Sequence, residues 1–375
     1  MEYRKFTKTG EKISLLGLGA MRLPLLASGA IDEDQAITMI RTAIDAGVNY
    51  VDTAYIYNGG KSEILVGKAL KDGYREKVLL ADKMPIWLAK TEEEMKAIFE
   101  KQFVRLGVDC IDMYLVHNVN AGIWKVAQKH GLLAYLEEQK TLGRIKHIGF
   151  SFHDELPLFK EVMDSYPWDF CQIQLNYMDT NFQAGVAGLE YAAEKNIPVI
   201  VMEPLKGGKL TDSVPDSIKA LWETADVKRT PAEWAFKWVA NFPSVLTILS
   251  GMSTLPQVED NLRIFENLKP NSLTEKEAEI IEKVAAKYHE LIQYSCTDCK
   301  YCMPCPAKIN IPGVISFYND WFLYGKNPKI KYDYNLWFPA DRRASACTDC
   351  KACESHCPQS LPISDIMKLA VLEFE

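Results

Sequence analysis

The chain has 375 residues, a formal net charge of -7 at neutral pH, and 48% hydrophobic against 25% charged residues. This composition is ordinary for a globular protein, and the negative charge argues against nucleic acid or an anionic membrane as the main partner. The N-terminus lacks the apolar run of a signal peptide, and no stretch approaches the ~20 apolar residues of a membrane span. We therefore expect a cytoplasmic protein with one large domain and one smaller module.

In chain order, the sequence first predicts a short hairpin around Thr9-Gly10-Glu11 that closes the floor of the main domain. Core strands are then predicted at 13–16, 49–52, 78–83, 111–117, 146–151, 170–175, 198–203 and 245–250. Helical patterns alternate with them at 33–46, 61–72, 92–106, 124–142, 155–165, 184–195, 230–240 and 255–266. Eight alternations over about 270 residues match a (β/α)8 TIM barrel in count and length. A doubly wound open sheet is the alternative, but Gly17-x-Gly19 lacks the third glycine and the helix that should follow it.

The C-terminal part of the chain has a different composition. A helix is predicted over 271–293, and the new composition begins at Tyr294, so we place a domain boundary between 1–293 and 294–375. The stretch 306–346 is rich in Tyr, Trp and Phe and contains a predicted helix at 311–324, ended by Gly325 and Pro328. The predicted fold class is therefore α/β, a (β/α)8 barrel followed by a mainly helical domain.

Several of the predicted strands end in a polar residue. Asp52, Lys83, His117 and Ser151 stand 31, 34 and 34 positions apart by subtraction, about one strand, one helix and two turns. If the array closes into a barrel, these side chains meet at the C-terminal rim, where such barrels carry out their chemistry.

Asp52, Tyr57, Lys83 and His117, which we call the tetrad, form a coherent set for adding a hydride to a carbonyl group. The developing alkoxide needs a proton, and a phenol such as Tyr57 donates one only if its high pKa is lowered. A buried ammonium, Lys83, favours the phenolate, and a carboxylate, Asp52, keeps the ammonium charged. His117 would orient the carbonyl oxygen. Singly, an Asp–Lys pair is usually a salt bridge and a strand-end His a structural residue, but the four together favour a catalytic site.

The motifs Asp52-Thr53-Ala54-x-x-Tyr57 with Ser62-Glu63, then Lys83, then Leu115-Val116-His117, resemble those of the aldo-keto reductases over residues 3–268. The resemblance implies a (β/α)8 barrel and NAD(P)H-dependent reduction of an aldehyde or ketone, with Tyr57 as the general acid. It also implies cofactor contacts at strand ends and in the loops behind them, namely Gly19, Met21, Ser151, Gln172, Met202, Leu205, Gly207, Gly208, Gly251, Met252, Ser253, Gln257 and Asn261.

Within that set, the resemblance assigns the nicotinamide to Ser151, Gln172 and Met202, the pyrophosphate to the loop from Leu205 to Gly208, and the adenosine to the loop from Gly251 to Asn261. NADPH and NADH both stay open, because the last loop has no Lys or Arg to pair with a 2′-phosphate, although Lys206 or Lys209 could supply that charge. The small carbonyl substrate is expected to contact the loops at 119–124 and 204–228 and the C-terminal tail. His153 is either a further substrate contact or a surface residue.

Eight of the ten cysteines fall after residue 295, in two runs that each end in Cys-Pro. Three cysteines at x2 spacing followed by a distant Cys-Pro is the ligand pattern of two-cluster ferredoxins, in which the fourth cysteine of each run serves the other cluster. We therefore predict one [4Fe-4S] cluster on Cys296, Cys299, Cys302 and Cys357, and a second on Cys347, Cys350, Cys353 and Cys305. Zinc knuckles are the alternative, but each would need only two cysteines and leave the others unexplained. Cys110 and Cys171 lie in predicted strands and are expected in the core.

The two predicted halves differ in how they carry electrons. A nicotinamide passes two electrons as hydride and each cluster passes one, so exchange between them calls for a mediator such as a flavin, for which the sequence shows no motif. Three functions remain: a carbonyl reductase whose ferredoxin domain exchanges electrons with a partner protein or mediator, a reductase with structural or redox-sensing clusters, and an electron-transfer protein with a barrel scaffold. We favour the first, because a scaffold has no need of a complete tetrad.

Overall fold

The computed structural model describes residues 1–211 and 214–375, so residues 212–213 of the expected substrate loop lie outside the described part. The chain divides into two compact units. Unit 1 comprises Met1–Pro204 and Ala235–Leu273, and unit 2 comprises Leu205–Trp234 and Thr274–Glu375. The domain boundary near residue 293 stays a prediction. Within the described ranges, no helix is long and apolar enough to cross a membrane.

An antiparallel hairpin of β1 (Tyr3–Lys5) and β2 (Lys12–Ser14) begins unit 1. The expected first core strand at 13–16 is therefore wrong, because Ile13 and Ser14 pair within this hairpin and the first barrel strand begins at Leu16. The hydroxyl of Ser14 donates to the carbonyl of Leu16 at 2.7 Å, which turns the chain between the two strands. One continuous apolar run thus serves two different sheets.

The eight strands of a closed parallel barrel follow: β3 (Leu16–Gly19), β4 (Tyr50–Asp52), β5 (Leu79–Met84), β6 (Ile111–Val119), β7 (Ile145–Phe152), β8 (Phe170–Gln174), β9 (Val199–Met202) and β10 (Val245–Ser250). Neighbours in sequence are neighbours in the barrel, and β10 pairs with β3 to close it. This confirms the predicted (β/α)8 architecture. The strands are buried along nearly their whole length, as expected for a parallel sheet covered by helices.

The helices are α1 (Glu33–Asp45), α2 (Ser62–Ala69), α3 (Glu92–Leu106), α4 (Ala121–Lys129), α5 (Leu132–Thr141), α6 (Leu156–Asp164), α7 (Gly185–Glu194), α8 (Asp216–Trp222), α9 (Pro231–Ala240), α10 (Leu255–Phe265), α11 (Glu275–Leu291), α12 (Ile311–Leu323), α13 (Pro328–Trp337) and α14 (Ile363–Phe374). The single helix expected at 124–142 is in fact α4 and α5. Gly131 separates them with a φ of 62°, a left-handed conformation that favours glycine.

The barrel interior is filled by large apolar side chains from all sides. Phe6 from the N-terminal hairpin segment closes the floor, and its ring meets the ring of His147 edge-on with centroids 4.8 Å apart. The buried residues of this core are Phe6, Ile13, Tyr50, Leu79, Ala81, Met113, Leu115, Phe170, Ile200, Leu246 and Leu249. This packing occupies the floor and middle of the barrel and leaves the rim at the strand C-termini for the polar side chains of a site.

Unit 2 has a separate helical core, made of Ile309, Ile311, Val314, Ile315, Tyr318, Trp321, Tyr334, Phe338, Ala344, Leu361, Ile363, Ile366, Met367, Ala370 and Phe374. The expected helix at 311–324 corresponds to α12. Pro328 does not only end a pattern, as expected, but begins α13, because proline fits the first turn of a helix, where its missing N–H has no partner to lose. In the segment Leu205–Trp234, the rings of Trp222 and Trp234 stack with centroids 5.1 Å apart.

Candidate functional site

The tetrad side chains gather at the rim of the barrel in unit 1. The Lys83 ammonium donates to Asp52 Oδ1 at 2.6 Å and to the carbonyl oxygen of Thr53 at 2.7 Å, and all of its side chain is buried. The same Lys83 nitrogen lies 5.0 Å from the centroid of the Tyr57 ring. Burial raises the pKa of Asp52, and the ammonium of Lys83 partly offsets that rise. The sequence therefore brings an ammonium next to the phenol, and a carboxylate next to the ammonium.

His117 approaches the phenol from a neighbouring strand. Its ring is perpendicular to that of Tyr57, with centroids 6.1 Å apart. The register of β6 against β7 shifts between Val116 and Val119, and Asn118 in this irregularity has a φ of 57°. Such bulges re-aim side chains at the edge of a site. Burial, then the charges of Lys83 and His153, lowers the pKa of His117 well below its usual value, so the imidazole is neutral.

Trp87 is a residue that the sequence analysis missed. Its indole is half-buried after β5, 5.2 Å from the ring of His117 between centroids. Tyr57, His117 and Trp87 therefore form adjoining aromatic surfaces at the mouth of the barrel. An aromatic residue in the β5–α3 loop was visible in the sequence, but nothing in its spacing connected it to His117.

A buried polar network lies behind the tetrad, and the sequence analysis missed this as well. Arg105 on α3 donates to Glu63 at 2.5 Å and to the carbonyl of Tyr55 at 3.1 Å, which ties down the loop that carries Tyr57. Gln102 donates to Asp82 at 2.8 Å. Burial raises the pKa of Asp82, and the nearby carboxyl of Glu63 raises it further. This network holds the loop of Tyr57 and the strand that carries Lys83 in place, through contacts between residues that are distant in sequence.

The predicted nicotinamide contacts are adjacent on neighbouring strands. Ser151 and Gln172 pair across β7 and β8, and both side chains are buried. The Ser151 hydroxyl accepts from the backbone N–H of Asn118 at 2.8 Å, and the Gln172 amide lies 3.4 Å from the sulfur of Met202. The carboxamide oxygen of Gln172 is buried and has no hydrogen-bond partner among residues 1–211 and 214–375. A nicotinamide carboxamide has the donor that this oxygen lacks.

The predicted adenosine loop lies against the first barrel strand. A Cβ on Gly19 would lie 3.5 Å from the carbonyl oxygen of Ser250, an ordinary van der Waals contact, so packing alone does not require glycine here. Asn261 donates to the Ser250 hydroxyl at 2.7 Å, and Gln257 accepts from the backbone N–H of Ser253 at 2.8 Å. Gln257 thus completes the N-terminal cap of α10, a structural role next to its predicted cofactor role. Of the two methionines predicted to contact the cofactor, Met252 is buried and Met21 is half-buried.

Arg22 supplies a cation that the loop sequence lacks. Its aliphatic carbons lie 3.3 Å from where a Cβ of Gly251 would be, and its carbonyl oxygen accepts from the Ser253 hydroxyl at 2.7 Å. Because Arg22 is more than two hundred positions away in sequence, inspection of the loop alone could not find it. His153, which the sequence left open, is half-buried, and burial lowers its pKa to about 4.

The predicted pyrophosphate contacts belong to unit 2. Leu205 begins a turn in which Lys206, Gly207 and Gly208 all have positive φ, at 50°, 68° and 93°. The Lys206 side chain is buried, and Lys209 donates to the hydroxyl of Ser316 on α12 at 2.7 Å. The turn is therefore packed within unit 2 by its lysines.

Unit 2 places cysteines of the two runs near one another, and their assignment as cluster ligands stays a prediction. A small cavity is lined by Cys305, Cys347, Cys350 and Cys353. Around Cys302, burial and then the nearby thiols of Cys299, Cys296 and Cys357 raise the pKa of the thiol. Burial, together with Cys305 and Cys347, likewise raises the pKa of Cys353 to about 11. Each predicted set joins three cysteines of one run to the last cysteine of the other, a donor set that suits a [4Fe-4S] cluster.

The two cysteine runs share a local repeat that the sequence analysis overlooked. Both read Cys-Thr-Asp-Cys-Lys-x-Cys, at 296–302 and 347–353. In both, the Asp and the Lys have positive φ, namely Asp298 at 54° and Lys300 at 65°, then Asp349 at 54° and Lys351 at 56°. The two loops therefore share the same backbone conformation at corresponding positions. In the part of the chain that the structure describes, no three His, Cys, Asp or Glu side chains are grouped as ligands of one metal ion.

Comparison with protein families agrees with both units. Residues 15–286 match the aldo/keto reductase family, and residues 295–361 match the 4Fe-4S dicluster domain. The first match covers most of the chain. Both recognitions made from the sequence motifs are thus confirmed.

Individual proteins show the same relationship. L-galactose dehydrogenase of Arabidopsis thaliana is 26% identical over 309 residues, which cover 76% of this chain and 94% of that protein. Aldo-keto reductase YhdN of Bacillus subtilis is 31% identical over 227 residues, which cover 56% of this chain and 64% of that protein. The holo structure of aldo-keto reductase AKR11C1 from Bacillus halodurans superposes with a TM-score of 0.63 at 26% identity, covering 76% of this chain and 96% of that one. The chain is therefore an oxidoreductase that belongs to the aldo/keto reductase family and carries a 4Fe-4S dicluster domain.

Proposed function

We propose that the barrel reduces an aldehyde or ketone with a reduced nicotinamide cofactor, and that Tyr57 is the general acid. The observation that carries this proposal is the arrangement of Lys83, which lies 2.6 Å from Asp52 Oδ1 and 5.0 Å from the centroid of the Tyr57 ring. Solved relatives of the same fold bind such cofactors: an aldo-keto reductase of Klebsiella pneumoniae has been crystallised with NADPH.

The cofactor fits the residues at the rim. The buried, unpartnered oxygen of Gln172 would accept from the nicotinamide carboxamide, and Ser151 beside it still has a hydroxyl hydrogen to donate. When bound, the dihydronicotinamide supplies a hydride to the carbonyl carbon. The sulfur of Met202, which touches the Gln172 amide, would cover one face of the ring.

The residues of this chain then complete the reduction. Tyr57 donates its proton to the carbonyl oxygen, so that aldehyde or ketone, hydride and proton together give the alcohol. The Lys83 ammonium stabilises the negative charge that the phenol oxygen gains in this step. Neutral His117 can donate a hydrogen bond to the same carbonyl oxygen without adding a second charge to a buried site that already holds Lys83. Trp87 beside it would exclude water from one side.

We further infer that NADPH is preferred over NADH. Arg22 packs against Gly251 in the predicted adenosine loop, and guanidinium groups bind phosphate in two-point contacts. The loop itself has no cation, so Arg22 is the group that a 2′-phosphate would meet in unit 1.

The clusters add one-electron chemistry to this hydride chemistry. Cys296, Cys299, Cys302 and Cys357 would hold one cluster, and Cys347, Cys350, Cys353 and Cys305 the other, each exchanging single electrons when formed. We propose that this domain exchanges electrons with a partner protein or a bound mediator. Anaerobic addition of NADPH, followed by EPR of the cluster signals with dithionite as the positive control, tests that exchange.

The test of the barrel function is the replacement Tyr57→Phe, which removes one oxygen atom and keeps the ring. We expect kcat for carbonyl reduction to fall about a thousandfold, since general acid catalysis contributes ~10²–10⁴-fold. Tyr74→Phe is the matched control, because Tyr74 is a half-buried tyrosine outside the tetrad and its hydroxyl donates to Asp45. A Tyr57→Phe protein that kept most of its activity would refute the assignment.

A further inference from the structure

Unit 2 contains a cavity of about 540 Å³ to which no role has yet been assigned. Its walls are the turn from Lys206 to Lys209, the end of α11, the loop at the first cysteine run and the outer face of α12. All these segments belong to unit 2. Small-molecule sites in proteins typically have volumes of ~300–1,000 Å³. The cavity is thus large enough for a cofactor-sized molecule.

One wall group lacks a partner that a ligand would provide. Tyr288 on α11 is 1% exposed, and its hydroxyl has no hydrogen-bond partner in the described ranges. Burial raises the pKa of Tyr288, so the phenol stays protonated and can donate. A buried hydroxyl without a partner costs free energy unless a ligand or water satisfies it. The lining therefore presents an unused donor for a hydrogen-bond acceptor on a bound molecule.

The charges of the lining favour an anionic group. Lys209 uses one of its three ammonium hydrogens on Ser316 and keeps the others for a ligand. The lysine at the first cysteine run, Lys300, is already 3.9 Å from the carboxylate of Asp298. Lys209 is thus the ammonium of the lining with hydrogens left for an anion, and burial raises the pKa of the remaining carboxyl, Asp320, which favours its neutral form. A phosphate monoester beside Lys209 would accept those hydrogen bonds.

The rest of the lining suits a flat ring system. Tyr294, Phe317 and Tyr324 contribute aromatic surfaces to the same cavity, and Tyr294 is fixed by two hydrogen bonds between its backbone and Asn319. Aromatic side chains stack on planar ligands and each pair adds ~0.5–1.5 kcal/mol beyond area burial. Asp320 and Tyr288 belong to the same lining and carry the polar groups that the heteroatoms of a ring edge require. Cys296, a predicted cluster ligand, forms part of the same wall.

We propose that this cavity is a binding site for a phosphorylated flavin of the flavin mononucleotide (FMN) class, separate from the nicotinamide site of the barrel. A flavin takes part in both hydride and single-electron chemistry, which is the property that a chain with a hydride site and one-electron clusters requires. Lys209 binds the phosphate, Tyr288 donates to a ring heteroatom, and the aromatic residues cover the ring faces. The proposal concerns binding alone, so it is independent of whether Tyr57 reduces carbonyl compounds.

The test is anaerobic equilibrium dialysis of the full-length, cluster-loaded protein against FMN, riboflavin and AMP. We expect one FMN per chain, with a dissociation constant below about 10 µM, and riboflavin bound about tenfold more weakly for lack of the phosphate. Lys209→Met should weaken FMN about tenfold and leave riboflavin unchanged. Tyr288→Phe should weaken both ligands about threefold, since it removes one neutral hydrogen bond. Lys329→Met is the control, because Lys329 is exposed on α13 and pairs with Asp333.

Four results would overturn the proposal. The first is no FMN binding at about 100 µM. The second is FMN binding that neither Lys209→Met nor Tyr288→Phe weakens. The third is full displacement of FMN by NADP⁺, which would place it in the dinucleotide site. The fourth is AMP binding as tight as FMN binding, which would make this a nucleotide site without redox specificity. Iron content and circular dichroism confirm that each variant is folded.

Discussion

The tetrad rim of unit 1 and the cysteine loops of unit 2 are organised by different means. At the rim, Lys83 is held by Asp52 and by the carbonyl of Thr53, and Arg105 ties down the loop that carries Tyr57. In the loops, cysteines stand between left-handed residues such as Asp298 and Lys300, and burial, then the neighbouring thiols, raises the pKa of Cys302. The protein alone therefore preorganises the rim, whereas the loops depend on iron to hold their thiolates together.

The largest effect is expected from breaking the rim at Lys83. Lys83→Met removes the charge that stabilises the developing phenolate, and we expect kcat to fall about a thousandfold. Iron content should be unchanged, because the rim does not depend on the clusters. Lys77→Met is the matched control, since Lys77 is exposed and pairs with Asp45. Steady-state kinetics and iron analysis on the same samples measure both quantities. A Lys83→Met variant with normal kcat would contradict the proposed role of Lys83.

Acid should weaken the barrel through His153. Its pKa in the folded state is lowered to about 4, below the unfolded value, so the unfolded chain binds the proton first as the pH falls. The stabilising contribution is complete above about pH 6.5 and is lost towards pH 4, at most about 3 kcal/mol in the free energy of unfolding. Urea titrations of the native chain and of His153→Gln should therefore diverge at neutral pH and converge near pH 4. Parallel curves would show that His153 does not titrate in this way.

Replacing Arg22 tests whether the barrel distinguishes NADPH from NADH by the 2′-phosphate. Arg22→Ala should lower kcat/KM for NADPH about tenfold and leave the value for NADH nearly unchanged, because only the 2′-phosphate loses its cation. Arg342→Ala, which removes an exposed arginine paired with Asp341, serves as control. An equal loss with both cofactors would mean that Arg22 supports the fold of the loop and does not read the phosphate.

The cysteine loops can be tested through the pairing of the runs. Cys357→Ser alone should leave about half of the iron, and Cys357→Ser with Cys302→Ser should leave the same half, because both residues belong to one crossed set. Cys357→Ser with Cys350→Ser should remove nearly all iron, since each set then loses a ligand. The opposite pattern, with half the iron kept in the second double variant, would mean that each run binds its own cluster.

The sequence predicted those features that depend on local pattern. Strand-length apolar runs at regular intervals predicted the barrel, and the cysteine spacing anticipated that Cys357 would lie beside Cys302. The first barrel strand was misplaced because Ile13 and Leu16 look alike in pattern, and only the pairing partners separate hairpin from barrel. The break between α4 and α5 at Gly131 was not predicted, because the helical pattern continues on both sides of this glycine.

What the sequence could not predict are contacts between distant segments. Arg105 holds the loop of Tyr57 from forty or more positions away, and Arg22 reaches Gly251 across the closure of the barrel between β3 and β10. Neither arginine stands in a motif. Their roles follow from which strands and helices are neighbours in space, and a single sequence carries that information only through the fold.

The central claim is that the barrel transfers hydride directly to the carbonyl carbon, with Tyr57 as proton donor. The most direct measurement is an anaerobic reaction of the full-length, cluster-loaded protein with NADPH that carries deuterium at the transferred position of C4. The account predicts one deuterium on the carbinol carbon of each alcohol formed, in ordinary water. Alcohol with hydrogen from the solvent at that carbon would show that the hydride does not pass directly from the nicotinamide to the substrate, and would contradict the claim.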